Sequence, residues 1–240
     1  MTAAGTSPWA VKASTLYNPA YARKYRAHDD EFESSEPCRR FADWLRQLCR
    51  TFSSPIDVLD LGCGTGRYFW ALEGVREVVG IDASPAMLAE ARNPYNASRI
   101  SAHTVTLVEG DLFGHQFEPA RFDLVYSIGV LAEHVPLDAE VVAHVSRWLK
   151  PNGRFAFTTV HPESPSVPRT FKRRLAESLA AIAPRTVEHR VRRLLLSGGL
   201  YADEARIEQL LADAFAIESL RRFESEAHQH CWCVARRSAP

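Results

Sequence analysis

The sequence predicts a doubly wound α/β domain, a mostly parallel sheet with helices on both faces. Three observations carry that expectation. Short apolar runs recur along the chain, with segments of helical periodicity between them. The first run, Val58-Leu59-Asp60-Leu61, stops in a turn with glycines at alternate positions, Gly62, Gly64 and Gly66. The second, Val78-Val79-Gly80-Ile81, ends in an acid, Asp82, twenty residues past Gly62.

The elements follow in order. Residues 1–15 are small, polar and proline-containing, the composition of a loosely ordered end. Tyr17, Tyr21 and Tyr25 stand in an aromatic, basic stretch, the last two at i, i+4. A helix is expected from about Pro37 to Arg50, with Phe41, Trp44, Leu45 and Leu48 on one face. Strands are expected at 56–61, 77–82, 104–109, 122–128 and 153–160, and helices at about 66–73, 85–92 and 138–149. Ser84 before Pro85 reads as an N-cap with proline at the first helical position. Asp138 can cap the helix through Leu149, and Pro151-Asn152-Gly153 ends it and opens the next strand. Beyond strand five, His161-Pro162-Glu163-Ser164-Pro165 and Pro168 forbid regular structure. An Arg-rich, mostly helical insertion runs on to about Leu200. Ile207, Leu210, Leu211 and Ala214 then recur at helical spacing, and two more strands are expected at 216–223 and 229–236.

Composition narrows the function. A chain of 240 residues, 46% hydrophobic and 24% charged, fits one soluble α/β domain with an added segment. Basic and acidic residues number 29 each, so a net charge of zero argues against non-specific duplex binding. The charge is uneven: residues 169–193 hold eight Arg or Lys and two acids, a local +6. Five cysteines form no secreted disulfide framework in a chain this long. With no apolar leader-like run and no stretch of 18 apolar residues, a reduced, cytoplasmic protein off the membrane is expected.

The glycine turn points to the ligand. Glycines there allow positive φ and let a ligand lie on bare main chain, while the helix expected after them would aim free N–H groups at it. Asp82 stands where a side chain can accept from both hydroxyls of a ribose. A dinucleotide fold wants G-x-G-x-x-G, with its third glycine at 67; here position 67 is Arg and the third glycine is Gly66.

The run Asp60-Leu61-Gly62-Cys63-Gly64-Thr65-Gly66 with Asp82 closely resembles motif I and the acidic loop of the class I S-adenosylmethionine-dependent methyltransferases. The resemblance covers about residues 37–160 by motif and reaches the C-terminus only by pattern. It implies a Rossmann-like seven-stranded sheet with the last strand antiparallel, an N-terminal helical lid over residues 1–36, and a methyltransferase domain over 37–240. A substrate-cap insertion would occupy about 161–200. By the same resemblance Gly62, Cys63, Gly64 and Gly66 pass close to the methionine and ribose of the cofactor, Asp60 holds the methionine amino group, and Asp82 takes the ribose. Ala83 and Met87 would pack on adenine, although Met87 is equally explained as helix core. Gly110-Asp111-Leu112 ends strand three, and its acid would accept from the adenine amine or merely cap the loop. Ser127 and Ile128 close strand four.

Glu133-His134-Val135-Pro136 resembles the family's post-strand-four pattern, with Ala132 as an extra residue, and Leu149-Lys150-Pro151-Asn152-Gly153 its later segment, with Asn152 for a glycine. His134 is then the first candidate base and His161 the second, each with a purely structural alternative. Tyr17 and Tyr25 resemble the aromatic lid. The Arg-rich stretch would recognise an anionic acceptor, or form a solvated face or the surface of a homodimer. His228, His230, Cys231 and Cys233 invite a zinc site, but alternation along a strand splits them between two faces, so no metal is expected.

The expected reaction is methyl transfer to a small molecule. A nucleic-acid base as acceptor is disfavoured, since strand four ends without the [DN]-P-P-[YF] tetrad. The competing classes are a non-catalytic S-adenosylmethionine-binding protein and a nucleotide-dependent oxidoreductase, the latter lacking a Tyr-x-x-x-Lys pair.

Overall fold

The computed structural model describes residues 7, 11, 15–31, 35–53, 55–167, 201–224 and 228–238, so the Arg-rich stretch and most of the expected cap lie outside the described residues. Helices α1 (Pro19–Asp29) and α2 (Glu36–Cys49) precede β1 (Ile56–Leu61) and β2 (Val75–Asp82). There follow α3 (Pro85–Ala91), β3 (Thr104–Glu109), β4 (Phe122–Ser127), α4 (Ala139–Trp148) and β5 (Leu149–Val160). Helix α5 (Glu204–Leu211), β6 (Phe215–Glu224) and β7 (Gln229–Arg237) complete the chain. The strands form one seven-stranded sheet in the order β3-β2-β1-β4-β5-β7-β6, with only β7 antiparallel to its neighbours. The expected doubly wound sheet is therefore present. Its strand order reverses between β1 and β4, which opens a crevice at their carboxyl ends.

Burial follows the apolar spacing. β1 is buried along its whole length because both faces of the sheet are covered. On one face α2 contributes Phe41, Leu45 and Leu48 to a core shared with Val58, Val78 and Tyr126. On the other, Val141, Val145 and Trp148 of α4 pack with Ile207 and Leu211 of α5 against Leu59, Val125 and Phe157. Each such side chain, fully buried, contributes about 1.5–3 kcal/mol. The two read caps form: Ser84 Oγ accepts from the Met87 N–H at 3.2 Å, and Asp138 Oδ1 from the N–H groups of Glu140 and Val141.

One expected helix does not form. Residues 66–73 make turns and a single 3₁₀ turn, Phe69–Ala71. Phe69, Trp70, Ala71 and Leu72 are consecutive and all buried, which a helix with one buried stripe cannot achieve. The chain must also reach β2 at Val75, leaving no room for a second turn. β5 likewise starts earlier than expected, at Leu149, directly on the end of α4. Asn152 takes the left-handed conformation (φ 62°) that its place in the segment called for.

The amino ends of the central strands carry a charged cluster. Asp57 accepts from Arg76 Nε at 2.8 Å and Lys150 Nζ at 3.2 Å. Asp123 accepts from the same Lys150 at 2.7 Å and from the Asp57 N–H at 2.8 Å. Burial alone would raise the Asp57 carboxyl, but Arg76 and Lys150 outweigh it and hold the group below the usual range. Among the described residues, no helix is long and apolar enough to cross a membrane.

Candidate active site

A cavity of about 510 Å³ lies at the carboxyl ends of β1, β2 and β4, roofed by the stretch Leu16–Tyr25. That volume is in the range of small-molecule sites. Its floor is the glycine turn. Gly62 has φ 74°, and a Cβ there would stand 2.7 Å from Val130 Cγ2, so a side chain would collide with the loop after β4. Gly64 has φ 54°, and its N–H donates to Asp82 Oδ2 at 2.9 Å.

Two carboxylates, buried Asp60 and half-buried Asp82, line the cavity at this turn. Asp82 accepts from the Ser84 N–H at 2.9 Å as well as from Gly64. Burial raises its carboxyl above the ordinary range, against the pull of the Ser84, Gly64 and Ala83 N–H groups. Asp60 accepts from the Tyr126 hydroxyl at 2.6 Å. Burial pushes its carboxyl up to about 7, with Asp82 adding to the rise and the Tyr126 bond opposing it. Among the described residues no basic side chain pairs with either.

The roof is fastened from below. Asp29, 1% exposed at the end of α1, accepts from Thr65 Oγ1 and from Arg67 Nε. The Arg67 guanidinium also lies over the Tyr25 ring, 4.4 Å from its centre. Arg67 thus sits where a dinucleotide fold would have glycine and ties the turn to the roof. Tyr17 packs edge-on against Tyr21 at 5.1 Å, Tyr21 stacks on Tyr25 at 6.0 Å, and the Tyr17 carbonyl accepts from Ser84 Oγ.

The loop after β4 forms the far wall. The Val130 carbonyl gathers the N–H groups of Glu133, His134 and Val135, and Ala132 takes φ 57° with its side chain fully buried. Ala132, the extra residue of this segment, is accommodated by that left-handed kink. Glu133 and His134 consequently face the cavity, and His134 meets the Tyr17 ring edge-on at 6.0 Å. Burial pushes the Glu133 carboxyl up to about 7.

Most residues singled out in the sequence meet here. Tyr17, Tyr25, Asp60, Gly62, Cys63 and Gly64 line the cavity, as do Asp82, Ala83 and Met87. Gly110, Asp111, Leu112, Ile128 and His134 complete that group. Three do not line it. Gly66 faces the core, where a Cβ would stand 2.7 Å from the Phe69 ring. Ser127 is fully buried, and its Oγ donates to the Leu61 carbonyl. His161 is 3% exposed behind β5, its Nε2 2.8 Å from Arg222 Nη2 and 3.3 Å from Glu204 Oε2, and its Nδ1 accepts from the Glu163 N–H. Because its ring is spent on that cluster, the expected role of a second base is not supported by its position. Asp111 does cap its own loop, Oδ1 accepting from the Phe113 N–H, while Oδ2 takes the Ser7 N–H at 2.8 Å.

His161, Glu204 and Cys231 bring ligand-type atoms within 4.8 Å of one another, a grouping the sequence reading missed. The Arg222 guanidinium already stands among them, 3.0 Å from Glu204 Oε1. The tail residues alternate as expected: Cys231 and Cys233 enter one core, and His230 and Trp232 pack on Phe41 across the sheet. Sequence reasoning also missed Tyr126, Asp29 and Arg67 as supports, and Glu133, although Glu133 adjoins the chosen His134.

Residues 58–153 match the family described as "Methyltransferase domain". The chain is 37% identical over 111 residues to a ubiquinone biosynthesis O-methyltransferase of Thiobacillus denitrificans, covering 45% of this chain and 46% of that protein. It is 32% identical over 126 residues to a tRNA U34 carboxymethyltransferase of Aeromonas hydrophila, covering 50% and 37%. The chain thus spans less than half the length of these curated relatives. Its fold is similar to that of the magnesium protoporphyrin IX methyltransferase of Synechocystis PCC 6803, with TM-score 0.63 and 17% identity over 96% of this chain and 100% of that one. Residues 58–153 thus carry a methyltransferase-domain pattern, which together with the seven-stranded sheet supports the resemblance to the class I S-adenosylmethionine-dependent methyltransferases.

Proposed function

We propose that the chain transfers a methyl group from S-adenosylmethionine to a small-molecule acceptor. The carrying observation is the pair of buried Asp60 and half-buried Asp82, at the carboxyl ends of adjacent strands about a glycine turn and left without a basic partner among the described residues. Buried carboxylates without cations are costly and call for a ligand that compensates them.

The residues present fit the cofactor. Gly64 leaves bare main chain where a side chain would crowd Met87 Cε at 3.3 Å. Asp82 keeps lone pairs for two vicinal hydroxyls beyond its backbone bonds. Asp60, raised to about 7, would ionise against an ammonium. Asp111 would accept from the adenine amine in exchange for Ser7, and Ala83, Met87, Leu112 and Ile128 would wall the ring. When bound, S-adenosylmethionine supplies an electrophilic methyl on a sulfonium. The chain's own work is alignment and exclusion of water, performed by the roof that Asp29 and Arg67 fasten. The rings of Tyr17 and Tyr21 would favour a desolvated cation by roughly 1–2 kcal/mol, with Tyr25 holding Tyr21 from behind. His134, beside Tyr17 and 3.6 Å from Glu133, would stand with that acid on the acceptor's side of the cavity, where a base is needed.

The roofed cavity and zero net charge support a small acceptor over a nucleic acid. Five unpaired cysteines accord with a cytoplasmic setting. Calorimetric titration with S-adenosylhomocysteine and with NADH tests the reading. Micromolar binding of the first supports it; binding of the dinucleotide alone overturns it.

A further inference from the structure

The cavity wall carries one acid that the cofactor leaves over. Asp60, Asp82 and Asp111 are each matched above to a part of that molecule, and Glu133 is the fourth carboxylate. Its side chain is 34% exposed, and His134 Nε2 lies 3.6 Å from its Oε1. Burial above all raises the Tyr17 phenol, and Glu133 and Asp82, both near that ring, add to the rise. The guanidinium on the wall, Arg67, is committed to Asp29.

We infer that the methyl acceptor is an amine, bound as its ammonium by Glu133 beside Tyr17 and His134. The inference rests on the methyl-transfer reading above and deepens it. An anionic acceptor would enter a wall with four carboxylates against one committed guanidinium and one imidazole. An ammonium gains the opposite charge of Glu133 and the aromatic faces of Tyr17 and Tyr21.

The chemistry closes on the same residue. An ammonium has no lone pair, so it must lose a proton before it attacks. The Glu133 carboxylate takes that proton, and the freed nitrogen pair attacks the sulfonium methyl in line. The carbon–sulfur bond breaks with its electron pair left on sulfur, and the product nitrogen carries the positive charge the sulfur has lost. Burial sets Glu133 near 7, basic enough to accept the proton at neutral pH. The other titratable groups on the same cavity wall are Tyr17, Tyr21 and Tyr25 of the roof, Asp60 of β1, Cys63, Arg67 and Tyr68 after it, Asp82 of β2, Asp111 beyond β3, and His134 of its own loop.

The test measures S-adenosylhomocysteine release with saturating S-adenosylmethionine. The probes are aliphatic and arylalkyl amines and the phenols and carboxylic acids of the same skeletons, offered to the native chain and to Glu133→Gln. S-adenosylhomocysteine affinity is measured on both proteins. We expect turnover confined to amines and lowered about 100-fold or more at pH 7 in Glu133→Gln. Cofactor affinity should stay within about twofold, and the variant should recover as pH rises toward the amine's own pKa. Turnover of phenols or acids, an unimpaired variant, or no amine turned over by a protein that binds the cofactor would each overturn the inference alone. Failure of the native chain to bind the cofactor would overturn the methyl-transfer reading and the inference with it.

Discussion

Strand β1 carries Asp57 at its amino end and Asp60 three residues on, and the protein treats the two carboxylates in opposite ways. Asp57 is surrounded by Arg76 and Lys150, which hold it ionised against the cost of burial. Asp60 has a tyrosine hydroxyl and a second acid nearby, and burial pushes it up to about 7. Both expose little surface, 8% and 4%, but burial weighs more heavily on Asp60, and the partners widen the difference. The amino end of the sheet satisfies its acids with its own cations and is finished as it stands. The carboxyl end leaves Asp60, Asp82 and Glu133 uncompensated, as expected where a cationic ligand completes the site.

The largest expected effect sharpens this contrast through pH. Asp60 is raised in the folded chain from an ordinary value near 4, so the fold binds a proton that the unfolded chain releases. Its stabilising share is full below about pH 4 and is lost as pH rises to about 7, up to about 4 kcal/mol. Melting of native protein and Asp60→Asn across pH 4–8 should show the variant gaining on the native chain as pH rises. A constant difference would show that Asp60 is not held protonated.

Next comes Asp82→Ala, which removes the acceptor for Gly64 and Ser84 and the one proposed for the ribose. S-adenosylhomocysteine affinity should fall about 100-fold, close to 3 kcal/mol, by calorimetry. At the other end, Lys150→Met leaves Asp57 and Asp123 short of a cation and should cost about 1–3 kcal/mol in urea unfolding, with affinity unchanged. The smallest effect is Ala120→Gly. This exposed residue just before β4 has φ 53°, so glycine there should stabilise by about 0.5–1 kcal/mol.

What was legible in the sequence was local. Most strand bounds (β5 apart, which starts at Leu149), the Ser84 and Asp138 caps, the glycine turn and the left-handed Asn152 depend on neighbours a few residues away. The expected helix at 66–73 failed because Phe69 to Leu72 are placed by walls from distant parts of the chain. Tyr126 reaches Asp60 across 66 residues and Arg67 reaches Asp29 across 38, pairings that no spacing rule announces. His161 and His134 look alike as residues after strands. Only packing sets one in the cavity and the other against Arg222.

The most direct measurement compares Asp57→Asn with Asp60→Asn at pH 8, reading melting temperature and S-adenosylhomocysteine affinity on each. We expect Asp57→Asn to lower the melting temperature with affinity within about twofold. Asp60→Asn should raise it and weaken binding at least about tenfold, the worth of one charged hydrogen bond. If Asp60→Asn instead destabilises the fold and leaves affinity intact, both ends of the strand are structural and the account is contradicted.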